Sequence, residues 1–91
     1  MEAKTDAKTR LAHLITEMES ERDEYLSDVD SCDARIRRGG FALYTVADLE
    51  LIRVGFQNAA NSLTRYLDEA RNALMLLIEE EYERKNAPRE G

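Results

Sequence analysis

The chain has 91 residues and a mass of 10.4 kDa, which is enough for one small domain over residues 1–91. Charged residues make up 35% and hydrophobic residues 43%, a balance that excludes a wholly disordered chain. Four Gly and one Pro are too few for the turns of an all-β fold, and a net charge of −6 argues against nucleic acid or a membrane as a direct partner.

The first predicted helix runs from about residue 6 to residue 38. Its apolar residues recur at steps of three and four, the heptad seam of a helix that packs along another helix. The seam consists of Leu11, Ile15, Met18, Arg22, Tyr25, Val29, Cys32 and Ile36. Arg22 is the one charge in the seam, and we expect it either to reach out and pair with a Glu or Asp of a neighbouring helix or to set the register of packing.

The connection is predicted over residues 39–45. Gly39 and Gly40 favour a left-handed helix end, and residues 41–46 are short and apolar. We expect a loop whose Phe41, Leu43 and Tyr44 cover the end of the helices, with a short strand as the alternative. A further alternative is a break at residues 27–33, where five of seven residues are Ser or Asp, which would produce a compact three-helix monomer.

The second predicted helix runs from about residue 46 to residue 85, before a flexible tail at 86–91. Thr45 and Asp48 have the spacing of a capping box at its start. Its seam consists of Leu49, Ile52, Phe56, Ala59, Leu63, Tyr66, Ala70, Ala73 and Leu77. The predicted fold is therefore all-α, a long antiparallel helical hairpin with coiled-coil-like heptads.

The second helix has more apolar surface than one neighbouring helix can cover. The predicted interface residues are Leu67, Leu74, Leu76, Leu77, Ile78 and Tyr82. A helix that is apolar on several sides is expected to be buried on several sides. A second copy, forming a homodimeric four-helix bundle, is the simplest cover, and the groove of a different protein is the alternative.

The sequence offers little for catalysis, so we expect no enzyme, no cofactor and no metal. His13 and Cys32 are single residues 19 positions apart, about 28 Å along one helix, too far for a nucleophile–base pair. No residue pattern matches a di-iron site, a calcium loop or a phosphate loop. Cys32 is expected to be a small core residue, and its lack of a disulfide partner favours the cytoplasm.

A row of acids is the most informative surface feature. Residues 17–33 contain eight acids and one base, and Glu17, Glu21, Glu24 and Asp28 fall on one flank of the apolar stripe. We call these four residues the acidic row. Neighbouring like charges weaken a helix by a few tenths of a kcal/mol each, which suggests that the row serves another purpose than stability.

The acidic row and the apolar surface of the second helix lead to three hypotheses for function. The first is a non-enzymatic module that binds, and inhibits or regulates, a protein partner such as a basic nucleic-acid-binding enzyme. The second is nucleic-acid mimicry, in which the carboxylates take the place of phosphates, by analogy with phage-encoded anti-CRISPR and anti-restriction inhibitors. The third is a structural or chaperone-like helical adaptor that uses the apolar surface of the second helix instead.

Overall fold

A computed structural model describes residues 3–86, with side chains from Ala7 onward. It contains two helices, α1 (Ala3–Arg37) and α2 (Val46–Asn86), which pack side by side as a hairpin with extents of 75 × 20 × 14 Å. The predicted all-α hairpin is confirmed. The predicted tail begins at Asn86, which is still helical, and the rest of that tail lies outside the described residues.

α1 is continuous through residues 27–33, so the protomer does not fold back into three helices. Ser and Asp cost a few tenths of a kcal/mol each in a helix interior. Within this stretch Val29 and Cys32 are buried against α2, and that packing offsets the poor local propensity. The alternative of a break at this point is therefore wrong.

The hairpin core is thin, because two helices can bury only one stripe each. The buried apolar side chains are Ile15, Val29, Cys32, Leu49, Ala60 and Leu67. The rings of Tyr25 and Phe56 pack between the helices with centroids 6.2 Å apart. Every residue of the predicted α1 seam is buried or half-buried, so the heptad pattern located the packed face of α1 correctly.

The packed face of α2 differs in part from its predicted seam. Tyr66 and Ala73 are exposed, whereas the next residue along in each case, Leu67 and Leu74, is buried or half-buried. A leucine removes more apolar surface from water than an alanine does, and a buried tyrosine would need a partner for its hydroxyl. The larger aliphatic side chains therefore decide which of two adjacent rows faces α1.

The helix ends on either side of the turn, the C-terminus of α1 and the N-terminus of α2, are capped as the sequence predicts. Thr45 and Asp48 form a capping box: the Thr45 N–H donates to Asp48 Oδ2 at 3.0 Å, and the Asp48 N–H donates to Thr45 Oγ1 at 3.2 Å. At the end of α1, Gly40 N–H donates to the Arg35 carbonyl and Gly39 N–H to the Ile36 carbonyl. These two bonds, with Gly39 at φ 91°, make a Schellman cap.

The connection is a tight turn and not a strand. Phe41 and Tyr44 exchange two backbone hydrogen bonds, of 3.1 and 2.8 Å, and form an isolated bridge around Ala42 and Leu43. The expectation that these apolar residues cover the helix ends is wrong for Leu43, which is 96% exposed. A two-residue turn places its central residues at the tip, away from the helices, whatever their polarity.

Candidate partner-binding site

Along one side of the hairpin, ion pairs between described side chains join α1 to α2. They are Lys8–Glu81 at 2.8 Å, Arg71–Glu19 at 2.6 Å, and Arg53–Asp33. The residues that α1 contributes are Lys8, Glu19 and Asp33. They are separated by 11 and 14 residues, about three and four helical turns, so all three lie on the same flank of the buried stripe. This flank is where acids and bases of the two helices neutralise each other.

Within the described part of the chain, Glu81 is the one group whose pKa clearly departs from its ordinary value. The hydrogen bond and charge of Lys8 lower the pKa of the Glu81 carboxyl below its ordinary value, and Lys85 at 3.4 Å lowers it further. Burial opposes the shift. The carboxylate is therefore held charged by two cations, which suits a structural ion pair at the open end of the hairpin.

The acidic row lies on the opposite flank of α1. Glu17 and Glu21 each stand two residues from Glu19, about 200° around the helix, so they point away from the ion-paired side. All four carboxylates are exposed, and no ion pair or hydrogen bond reaches any of them from residues 7–86. The stretch Val54–Thr64 of α2, which runs past the Glu24 and Asp28 end of the row, carries no charged residue.

Arg22 does not neutralise the acidic row. Its guanidinium pairs with Asp23, the next residue, at 3.1 Å, and the side chain is only 25% exposed. The prediction placed the paired acid on a neighbouring helix, whereas Asp23 belongs to α1 itself. Its register-setting role stays a prediction, since the ionic contacts that cross between the helices come from other residues.

A pocket of about 280 Å³ opens at the closed end of the hairpin, where the acidic row stops. Asp28, the last member of the row, stands at its rim. Apolar side chains from both helices and the turn form about half of its wall, and polar groups form the other half. The full lining is Asp28, Ser31, Cys32, Arg35, Phe41, Tyr44, Leu49, Ile52 and Phe56. No sequence pattern marks this pocket, because it needs the turn to bring Phe41 and Tyr44 beside the helices.

Arg35 and Cys32 have structural positions in this pocket. The Arg35 guanidinium lies 4.1 Å from the centre of the Phe41 ring, a cation–π contact that holds the ring against α1. Cys32 is a free thiol that is almost fully buried, as expected of a small core residue. His13 is exposed, in a shallow depression on α1 beside Lys8 and Thr16.

The predicted apolar interface divides into three groups. Leu67 is fully buried inside the hairpin and is not accessible to a partner. Leu74 and Leu77 are half-buried, and Leu76, Ile78 and Tyr82 are exposed. Met75, which is not part of the predicted interface, is exposed as well. It precedes Ile78 by three residues and Tyr82 by seven, so it lies on the same face of α2.

This face, which we call the distal stripe, consists of Met75, Ile78 and Tyr82. Leu76 lies about 100° around the helix from Met75 and points away from it. The i, i+3, i+7 spacing of these three apolar residues is present in the sequence and could have indicated the distal stripe. It is the surface of the protomer's open end that most resembles an unfilled helix-packing site.

The described residues contain no group of three or more His, Cys, Asp or Glu side chains arranged to hold a metal ion. None of their helices is both long enough and apolar enough to cross a membrane. No family model, curated protein or solved structure matches the chain. The acidic row with its pocket and the distal stripe are therefore the two candidate functional surfaces.

Proposed function

We propose that the protein is a non-enzymatic interaction module that binds, and thereby inhibits or regulates, a protein partner through the acidic row. The observation that supports the proposal is a difference in ion pairing between the acids on the two flanks of α1. Glu19 and Asp33 on one flank are paired with arginines of α2, whereas the four carboxylates of the row on the other flank meet no cation among the described side chains of residues 7–86.

The row has a cost in the free protein that a cationic partner would remove. Carboxylates three or four residues apart repel one another along about 16 Å of helix axis. Lysine or arginine side chains of a partner would replace this repulsion with attraction. Long-range attraction of this kind mainly accelerates association, and it weakens as ionic strength rises.

Reversal of the row tests the proposal. A variant with Glu17, Glu21, Glu24 and Asp28 all changed to Lys changes the net charge from −6 to +2. All four side chains are exposed and outside the interhelical ion pairs, so the hairpin is expected to stay folded, as circular dichroism would show. Proteins that the immobilised wild type retains from a cell extract at low salt should no longer be retained by this variant.

A second charge reversal on α2 is the matched control. Glu50, Glu69, Glu79 and Glu83 are exposed, and their change to Lys also produces a net charge of +2. This control should keep the partners that the row-reversed variant loses. Equal retention by both variants, or equal loss from both, would mean that net charge or another surface governs binding and would contradict the proposal.

Nucleic-acid mimicry is the second candidate, and the spacing of the row favours it. Steps of three and four residues place the carboxylates about 4.5 and 6 Å apart along the axis, so the row, like a nucleic-acid strand, carries negative charges that repeat every few Å. If the row takes the place of phosphates, double-stranded DNA should elute the retained proteins in competition. If the row recognises a protein surface that is not a nucleic-acid site, salt should elute them and DNA of equal ionic strength should not.

We further propose that the distal stripe joins two copies of the chain, and that the protein works in a reducing compartment such as the cytoplasm. The exposed Met75, Ile78 and Tyr82 are the observation behind the dimer. An adaptor role, in which this stripe holds a helix of another protein, would instead produce binding that is insensitive to salt and lost on Tyr82→Asp.

A further inference from the structure

We propose that the pocket at the closed end of the hairpin receives one large apolar side chain of the partner, from a segment whose Lys or Arg residues lie along the acidic row. This inference rests on the proposed function and adds the chemistry of the partner's segment to it. The occupant is a cationic segment with a single apolar anchor.

The size and lining of the pocket match one side chain. Its volume of about 280 Å³ is below the usual range for sites that bind drug-sized ligands, about 300–1,000 Å³. Polar and apolar groups share the wall about equally, and Leu49, Ile52 and Phe56 from α2 face Phe41 and Tyr44 from the turn. Burying a leucine or phenylalanine side chain from water is favourable by about 1.5–3 kcal/mol, so an anchor here would strengthen binding beyond the charges alone.

Charged residues at the pocket determine where the partner segment can carry cations relative to its apolar anchor. Asp28 belongs both to the acidic row and to the pocket rim, so a segment that follows the row reaches the pocket without a gap. Arg35 stands on the same flank seven residues later, about two turns on, with its guanidinium over Phe41. Cations of the partner are therefore favoured on the Asp28 side of the anchor and disfavoured beyond it.

The pocket is also formed before any partner arrives. The Schellman cap, the hydrogen-bonded turn and the capping box fix the chain on both sides of Phe41 and Tyr44. A binding surface that is already ordered avoids the entropic cost of ordering on association. Anchoring residues in such pre-formed pockets commonly dominate the binding energy of an interface.

Two synthetic peptides test the anchor against the intact protein. Both are 15-residue lysine-rich helical peptides, one with a single phenylalanine next to its last lysine and the other with alanine there. Affinity is measured by calorimetry at low salt, and ¹H–¹⁵N spectra report where each peptide binds. The phenylalanine peptide should bind about tenfold or more tightly than the alanine peptide and should shift the signals of Ser31, Phe41 and Tyr44.

Variants of this protein separate the anchor from the charge. Ser31→Phe places a ring at the pocket rim from an exposed position and should remove the preference for the phenylalanine peptide. Ser27→Phe, also exposed and outside the pocket lining, is the matched control and should keep that preference. Circular dichroism confirms that both variants remain helical.

The outcomes for the anchor and for the proposed function are distinct. Equal affinity for the two peptides, with both weakened by reversal of the acidic row, would overturn the anchor while leaving charge-based binding in place. Affinity that is unchanged by reversal of the row would overturn both. A phenylalanine preference that survives Ser31→Phe would place the apolar contact outside this pocket and would also overturn the inference.

Discussion

Leu67 is the most deeply buried side chain of the hairpin, with no exposed surface. We expect Leu67→Ala to lower the free energy of unfolding by about 2–5 kcal/mol, because it removes buried apolar surface and leaves a cavity that two helices can only partly close. Urea denaturation followed by circular dichroism measures the loss as a lower midpoint.

Leu76→Ala is the control for this prediction. Leu76 lies on the same helix but is 61% exposed, so the same chemical change should alter stability much less. A loss at Leu76 as large as that at Leu67 would show that Leu76 is buried in solution, in an interface that the protomer alone does not contain.

The ion pair of Glu81 leads to a prediction about pH. Because Lys8 lowers the folded-state pKa of Glu81, the contribution of the pair is fully present above the unfolded-state value, about 4.3, and disappears as the pH falls through the folded value. Thermal melting between pH 6 and pH 2.5 should therefore show a smaller loss of stability for Glu81→Gln than for the wild type. A variant with Glu79, which is exposed, changed to Gln tests whether any acid in this stretch has the same effect, and identical pH profiles for all three proteins would contradict the prediction.

At the scale of the elements, the heptad spacing predicts α1 in full and α2 only in part. The α1 seam is correct even where a leucine stands beside it: Leu14 and Leu26 are exposed, while Ile15 and Tyr25 face α2. Its one charged member, Arg22, has a side chain long enough to reach water. On α2 two adjacent rows were both apolar, and Leu67 was preferred over Tyr66 by packing against α1, which a pattern within one helix does not contain. The acidic row needs only helical spacing and was predictable, whereas its pocket depends on the turn and was not.

The glycines permit a matched test of helix and turn. Gly55 lies in the interior of α2, and a Cβ there would meet nothing within 4 Å. Gly55→Ala should raise the free energy of unfolding by about 0.5–1 kcal/mol through the better helix propensity of alanine. Gly40 has φ +130°, and a Cβ there would lie 3.0 Å from the Tyr44 carbonyl oxygen, so Gly40→Ala should destabilise the cap and turn.

Chemical denaturation of both alanine variants, at one protein concentration, measures these opposite effects. Stabilisation by Gly40→Ala would contradict the turn geometry. Destabilisation by Gly55→Ala would contradict an open environment at this position and would indicate close approach of another chain to this face of α2.

At the scale of the whole molecule, a hairpin with extents of 75 × 20 × 14 Å leaves nearly every residue close to solvent. Six apolar side chains are buried among residues 7–86, a small core for a chain of this length. Binding of a second copy would stabilise the folded state by mass action. We therefore expect the melting temperature to rise with protein concentration, and light scattering to give a mass near twice 10.4 kDa at low and high salt.

The distal stripe determines which variants should abolish that dimer. Met75→Lys with Tyr82→Lys places two charges on side chains that are 60% and 68% exposed in the protomer, so the hairpin should remain helical while the mass falls to 10.4 kDa. Leu51→Lys changes a side chain that is 75% exposed near the opposite end of α2, and it should leave the mass unchanged. If Leu51→Lys dissociates the dimer and the double variant does not, the two copies meet near the turn, beside the pocket. A wild-type mass of 10.4 kDa at all concentrations would instead leave the distal stripe free for a different protein, and the salt-insensitive adaptor role would then take precedence for that surface.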